Sequence, residues 1–247
     1  MKKSLFYAAF AAMLLTPPAF SEEIGGVSFA NTQLTVIDSN TGAGVSAGNL
    51  DVQGWNSLES VGATFYGTTF GSGNLYSWNF GSFVTTFIAT IGDTRGLAWD
   101  GSTMWGVQNG NDDLVTIDLG TGAVTPIGSI GFTGVQAIAV DAGGNLFGWD
   151  INTGLLTINS ATGQGTDVST AGGTGDIQGM DFATDGTLYG AREQLYTINT
   201  GTGAFTAVGG GGYTDIRGIA TNVVPEPATL VCVAGMLLAL AHSRRRH

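Results

Sequence analysis

The stretch Leu114-Val115-Thr116-Ile117-Asp118-Leu119-Gly120-Thr121-Gly122-Ala123-Val124-Thr125-Pro126-Ile127 reads as two short strands around a tight turn. Apolar and β-branched residues fill the run before Asp118, as strands prefer. The Asp118 side chain can bond backbone N–H groups two residues on, and Gly122 supplies the positive φ that the turn needs. Pro126 makes the second strand an outer edge, because proline has no N–H to give to a central ladder.

The unit recurs at a period of about 40 residues. Leu34-Thr-Val-Ile37-Asp38, Leu156-Thr-Ile158-Asn159 and Leu195-Tyr-Thr-Ile198-Asn199 lead into Thr41-Gly42, Thr162-Gly163 and Thr202-Gly203, and a looser copy runs from Leu75 through Trp78 to Gly81. Between the hairpins lies a second repeated pair of strands: Arg95 to Gly106, Gln136 to Gly148 and Gln178 to Gly190. Four strands per unit of about 40 residues is the arithmetic of a propeller blade. The expected fold is therefore all-β, a β-propeller of about five four-stranded blades.

The last copy stops after Ile216-Arg-Gly-Ile-Ala220, and the N-terminal segment carries the strands it lacks. One blade is expected to be composite and to close the ring, which removes exposed sheet edges. In this reading Val27 to Asp38 lines up without a gap against Leu188 to Asn199. The repeat resembles a loosely related group of bacterial propellers with Asp-x-x-Thr-Gly and Leu-Tyr-Gly signatures, which implies the fold and leaves the activity open.

The ends differ from the middle. Lys2 and Lys3, an apolar run from Leu5 to Leu15 and the small residues Ala19 and Ser21 read as a secretory signal peptide over 1–21. The propeller domain is expected over 22–222. After it come Pro225-Glu226-Pro227, a short apolar helix from Leu230 to Ala241 and Arg244-Arg245-Arg246. This segment, 223–247, closely resembles the PEP-CTERM sorting signal. The resemblance implies an exosortase-type processing enzyme as partner, a Gram-negative envelope and transient inner-membrane insertion through the C-terminal helix. It places the mature protein at the cell surface or in the extracellular matrix, membrane-anchored before processing. Independently, arginines after a short apolar run stop transfer on the cytoplasmic side and leave the propeller outside.

Five of the eight basic residues lie in the end segments, so between 22 and 222 only Arg95, Arg192 and Arg217 are basic, with no Lys, His or Cys. Such an acidic surface repels nucleic acid. It also lacks the residue types of a catalytic dyad, a thiolate or a zinc site, so a non-enzymatic role is expected and no cofactor is required. Calcium takes oxygen ligands, and Asn109, Asn111, Asp112 and Asp113 are the candidate loop for it. The spacing does not match an EF-hand loop, and a solvated turn rich in Asn and Asp explains the same residues better.

The candidate binding ring is a tetrad at the start of each inner strand: Asp51-Val-Gln53-Gly54, Asp93-Thr-Arg95-Gly96, Gly134-Val-Gln136-Ala137, Asp176-Ile-Gln178-Gly179 and Asp215-Ile-Arg217-Gly218. Residues two apart share one face of a strand, so the five copies would form a polar ring at one mouth of the channel, able to hold an anion, a sugar hydroxyl or waters. The favoured alternative is architectural, with these side chains bonding neighbouring backbone and one another where the blades converge. Trp78 and Trp149 are candidates for stacking on sugars, whereas Trp55, Trp99 and Trp105 are expected to pack between blades. The expected function is an exported surface or matrix propeller that binds polysaccharide or protein. The alternative is a carboxylate-dependent hydrolase or lyase on extracellular polymer, using Asp51, Asp93, Asp176 and Asp215. A periplasmic small-ligand sensor would need the tail to be a permanent anchor.

Overall fold

The computed structural model describes residues 22–168 and 175–221. The segments read as an export signal and as a sorting signal, with Pro225, Glu226, Pro227, Arg244, Arg245 and Arg246, lie outside the described residues. The described residues form twenty strands in five four-stranded antiparallel sheets, without a helix among them.

Blade 1 is composite, as expected: β20 (Ile216–Ala220) is followed outward by β1 (Glu23–Ser28), β2 (Gln33–Asp38) and β3 (Gly44–Asn49). Blade 2 holds β4 (Trp55–Val61), β5 (Thr64–Thr69), β6 (Asn74–Asn79) and β7 (Thr86–Thr90). Blade 3 holds β8 (Thr94–Trp99), β9 (Met104–Gln108), β10 (Asp113–Ile117) and β11 (Val124–Ser129), and Pro126 sits on its outer strand. Blade 4 runs through β12 (Val135–Val140), β13 (Leu146–Asp150), β14 (Gly154–Ile158) and β15 (Gly165–Asp167). Blade 5 has β16 (Gly179–Phe182), β17 (Leu188–Ala191), β18 (Leu195–Ile198) and β19 (Phe205–Gly209). The inner strands β4, β8, β12, β16 and β20 each pack on the next, and β20 packs on β4 to close the five-bladed β-propeller.

The outer hairpins turn as their residues dictate. Asp118 Oδ1 accepts the N–H groups of Gly120 and Thr121, and Asn159 and Asn199 do the same for the residues two and three ahead. Gly42, Gly122, Gly163 and Gly203 all take positive φ. The gapless match of blade 1 to blade 5 holds for β2 and fails for β1. Ile37 pairs with Ile24, and its counterpart Ile198 pairs with Leu188, so Leu188 corresponds to Ile24 and not to Val27. The loop from β1 to β2 is longer than its counterpart in blade 5, and the extra residues include Phe29.

Close approach at the axis depends on small residues. A Cβ on Gly96 would lie 2.6 Å from the backbone N of Ile138 in the next blade, and one on Gly218 would collide with the backbone of Ser57 and Leu58. Leu58, Leu97, Ile138, Met180 and Ile219, next along the five inner strands, are buried in five separate clusters between blades, and the cavity that the inner strands line at this level is about 10 Å³. One water needs about that much room. The channel is narrowed there to room for about one water, between an upper and a lower mouth.

All five inner strands start on one face, called upper here. The loops joining second to third strands share it. β1 starts and β20 ends on the opposite, lower face, where Gly25 pairs with Ala220. Both ends of the described domain, Glu22 and Thr221, are thus on the lower face.

Candidate functional site

Four of the five blades pin the residue that opens the inner strand in the same way. Its carbonyl accepts an N–H from the first residue of the loop between second and third strands: Phe29 to Asp215, Phe70 to Gly54, Asn109 to Asp93 and Ile151 to Gly134. This pairing corrects the predicted ring in blade 2. Gly54 stands where Asp93 and Asp215 stand, so Asn56 is the counterpart of Arg95 and Arg217. Asp51 and Gln53 lie upstream, in the connection from β3 to β4, where the Asp51 carboxylate accepts the Thr85 N–H at 3.0 Å. Leu50 and Ile130 are both buried four residues before the glycine, so the Asp-Val-Gln-Gly likeness in blade 2 is a coincidence of composition.

Of the other predicted ring residues, Asp176, Gln178, Asp215 and Arg217 join into a connected strip across blades 5, 1 and 2. Gln178 Nε2 donates to Asp176 at 2.8 Å. Arg192, which opens the blade 5 loop, bridges Asp176 at 3.0 Å and Asp215 at 3.2 Å. Asp215 holds the Nε of Arg217 at 3.1 Å, and the Arg217 guanidinium lies 4.0 Å over the ring of Phe29. Phe29 meets Phe70 edge to face at 5.6 Å, and Phe70 remains 45% exposed. Strips that alternate donors, acceptors and an aromatic face suit polyhydroxylated ligands, because every polar group already has its partner and need not be reoriented.

Solved propeller structures share the fold. A chain of a nidogen/laminin complex matches with TM-score 0.60 and 12% identity, over 81% of this chain and 98% of that one. A protein from a study of the de novo evolutionary emergence of a symmetrical protein matches with TM-score 0.56 and 18% identity, over 80% and 97%. A structural genomics protein of unknown function from Bacteroides thetaiotaomicron matches with TM-score 0.54 and 15% identity, over 79% of this chain and 59% of that one. At these identities the likeness establishes the fold alone. No family model matches the chain, and no curated protein matches it.

The blade 3 and 4 half of the propeller's upper mouth is built differently. Asn56 Nδ2 reaches Asp93 and the Thr94 carbonyl at 3.4 Å, while Asn109 Nδ2 donates to the other Asp93 oxygen at 2.7 Å. In blade 4 the opening residue is Gly134, whose N–H is taken by the Asp150 carboxylate at 2.8 Å. A Cβ there would lie 3.2 Å from that carboxylate. Gln136 folds back toward the Gly134 carbonyl at 3.4 Å. Arg95 makes no ion pair within 4 Å among the described residues and exerts its field on Asp112.

The proposed calcium loop does not gather its oxygens. Asn109 turns to Asp93, whereas Asp112, with φ 48°, turns inward and accepts the Val135 N–H of the next blade at 3.3 Å. Burial pushes the Asp112 carboxyl above its ordinary range, and its Oδ1 has no partner among the described residues. Asn111 presents its carbonyl to Ser129, and Asp113 opens β10. Among the described residues no group of three His, Cys, Asp or Glu side chains is placed to hold a metal ion.

The lower mouth carries two acids that the sequence reading passed over. Glu59 and Asp181 stand at the level occupied by Ala98, Ala139 and Ala220 in the other blades. Each clips its blade to the next: Glu59 accepts the Trp99 N–H at 3.1 Å, and Asp181 accepts the Thr221 N–H at 2.7 Å. Burial, and for Glu59 also the nearby Asp181 charge, drives the Glu59 carboxyl well up. Burial raises Asp181 to about 6.

Trp78 and Trp149, expected to be open to sugars, are both buried. Trp78 stacks on Phe65 at 5.6 Å, and Trp149 donates to the Gly175 carbonyl at 2.7 Å. Phe70 takes an exposed position instead, beside the half-buried Phe29 and Arg192. All three follow directly on a blade's second strand, in loops that the sequence repeat did not single out.

Proposed function

We propose that this chain is an exported, non-enzymatic binding module of the cell surface or extracellular matrix, sorted through its Pro225-Glu226-Pro227 segment by an exosortase-type enzyme. Its upper face engages extracellular polysaccharide. The observation that carries this reading is the strip from Gln178 through Asp176, Arg192, Asp215 and Arg217 to Phe29 and Phe70. It lies on the face opposite both ends of the domain, so a chain tethered or processed at its C-terminus would present the strip outward.

The engagement of the candidate acids favours binding over turnover. Asp176 and Asp215 are held by arginines, Asp93 by Asn109 and Asp51 by Thr85. A general acid must be free to reach the leaving oxygen, and these four carboxylates are already engaged by protein donors. Co-sedimentation with the polysaccharide of the cells that make the protein, with and without calcium, tests the reading. Saturable binding without shortening of the polymer is expected. Shortening of the polymer, abolished by Asp176→Asn or Asp215→Asn, would establish the hydrolase or lyase instead.

A further inference from the structure

We infer that the polysaccharide taken by the upper face is uncharged, lying across blades 5, 1 and 2 with one sugar ring seated on Phe70. This rests on the reading of that face as a glycan-binding surface and names the ligand class. The domain's three arginines all belong to the upper mouth, which at first suggests an anionic ligand. Their pairing argues the opposite. Arg192 is bound by Asp176 and Asp215 and has Glu193 at 3.9 Å, and Arg217 shares Asp215. Three carboxylates thus answer two guanidiniums, and Asp176 and Glu193 are the more exposed partners, each with a side chain 58% accessible.

A uronate or sulfate arriving at the strip would have to displace Asp215 from both arginines, and it would meet Asp176 and Glu193 as like charges. Like charges a few ångströms apart repel, and more strongly at a protein surface than in bulk water. A neutral sugar has no such barrier. Its hydroxyls take acceptors from Asp176 and Glu193 and donors from Arg192 and Gln178, all already fixed by one another.

The aromatic element has the geometry for the apolar face of a sugar ring. Arg217 over Phe29 and the edge contact of Phe29 with Phe70 hold the pair upright, so Phe70 offers a rigid surface that loses little entropy on binding. The other exposed large apolar side chains among the described residues, Val45, Phe80, Val84 and Phe87, lie on outer strands or the outer hairpin of blade 2, away from this strip.

The test uses the full chain in nonionic detergent and the extracellular polysaccharide of the producing cells. The polymer is offered in its native form and after carboxyl reduction, which converts uronic acids to neutral hexoses. Binding to the reduced polymer is expected to equal or exceed binding to the native one and to change little with salt. Phe70→Ala is expected to weaken it about tenfold, while Phe70→Trp keeps it. Binding lost on carboxyl reduction, or collapsing with salt, overturns the inference and leaves the glycan-binding reading standing. No binding to either form by a folded chain overturns both, and binding indifferent to Phe70→Ala overturns the placement of the sugar.

Discussion

The Asp181 carboxylate of blade 5 accepts the backbone N–H of Thr221 in blade 1 at 2.7 Å, and Thr221 Oγ1 donates to the same oxygen at 3.0 Å. The contact ties the residue that follows the closing strand β20 to the neighbouring blade. Its carboxyl titrates at about 6 when folded, against 3.8 for the ordinary group, because burial disfavours the charge. The folded chain therefore keeps a proton that the unfolded chain releases. The stability this confers is present below about pH 4 and is lost as pH rises toward 6, and Glu59 extends the loss upward. Denaturant midpoints measured at about pH 4 and pH 7 should be higher at pH 4, and Asp181→Asn should flatten that slope. A midpoint rising across the window would contradict the raised carboxyls. Carboxyls held low by turn hydrogen bonds, such as Asp118 with Thr121, act below this window.

At the axis, Gly96→Ala forces a Cβ onto the backbone of Ile138 at 2.6 Å. Backbone cannot swing aside as a side chain does, so a loss of about 3 kcal/mol or more is expected. Ala137→Gly, at the matching level of blade 4, should cost about 1 kcal/mol. Equilibrium denaturation of the two variants tests the claim, and equal costs would refute it.

Ile216 is fully buried and packs with Ile24, Ile37 and Leu195, where the closing strand meets blades 1 and 5. Ile216→Ala should remove about 3 kcal/mol while unfolding stays a single transition, since the composite blade links the two ends of the ring. Separate unfolding of one blade in tryptophan fluorescence would show that the closure is not cooperative.

Arg192→Ala leaves Asp176 and Asp215 without their bridge, whereas Arg95→Ala breaks no ion pair among the described residues. Polysaccharide affinity should fall about tenfold for the first and by less than about twofold for the second. The reverse ranking, measured by co-sedimentation, would move the binding surface to the blade 3 side.

Much of this was legible in the chain. The Asp118 to Gly122 turn and its three close copies set the outer hairpins, and the missing strands after Ala220 predicted the composite blade. The departures share a cause. Local likeness does not report loop length, so Asp51-Val-Gln53-Gly54 passed for an inner-strand opening and Val27 was matched to Leu188. Phe29, Phe70 and Arg192 belong to loops that differ in every blade, so no repeat marked them; only the ring brings them together. Glu59 and Asp181 were visible as lone acids where other blades have alanine, but their clip to the next blade exists only in the closed structure.

The most direct test of an outward, glycan-binding upper face is amide hydrogen exchange of the full chain with and without the polysaccharide. Added protection is predicted in the loops after Ser28, Thr69 and Ala191 and at the start of β20, with the lower-face turns unchanged. Protection confined to the lower-face turns, or none at saturating polysaccharide, would contradict it.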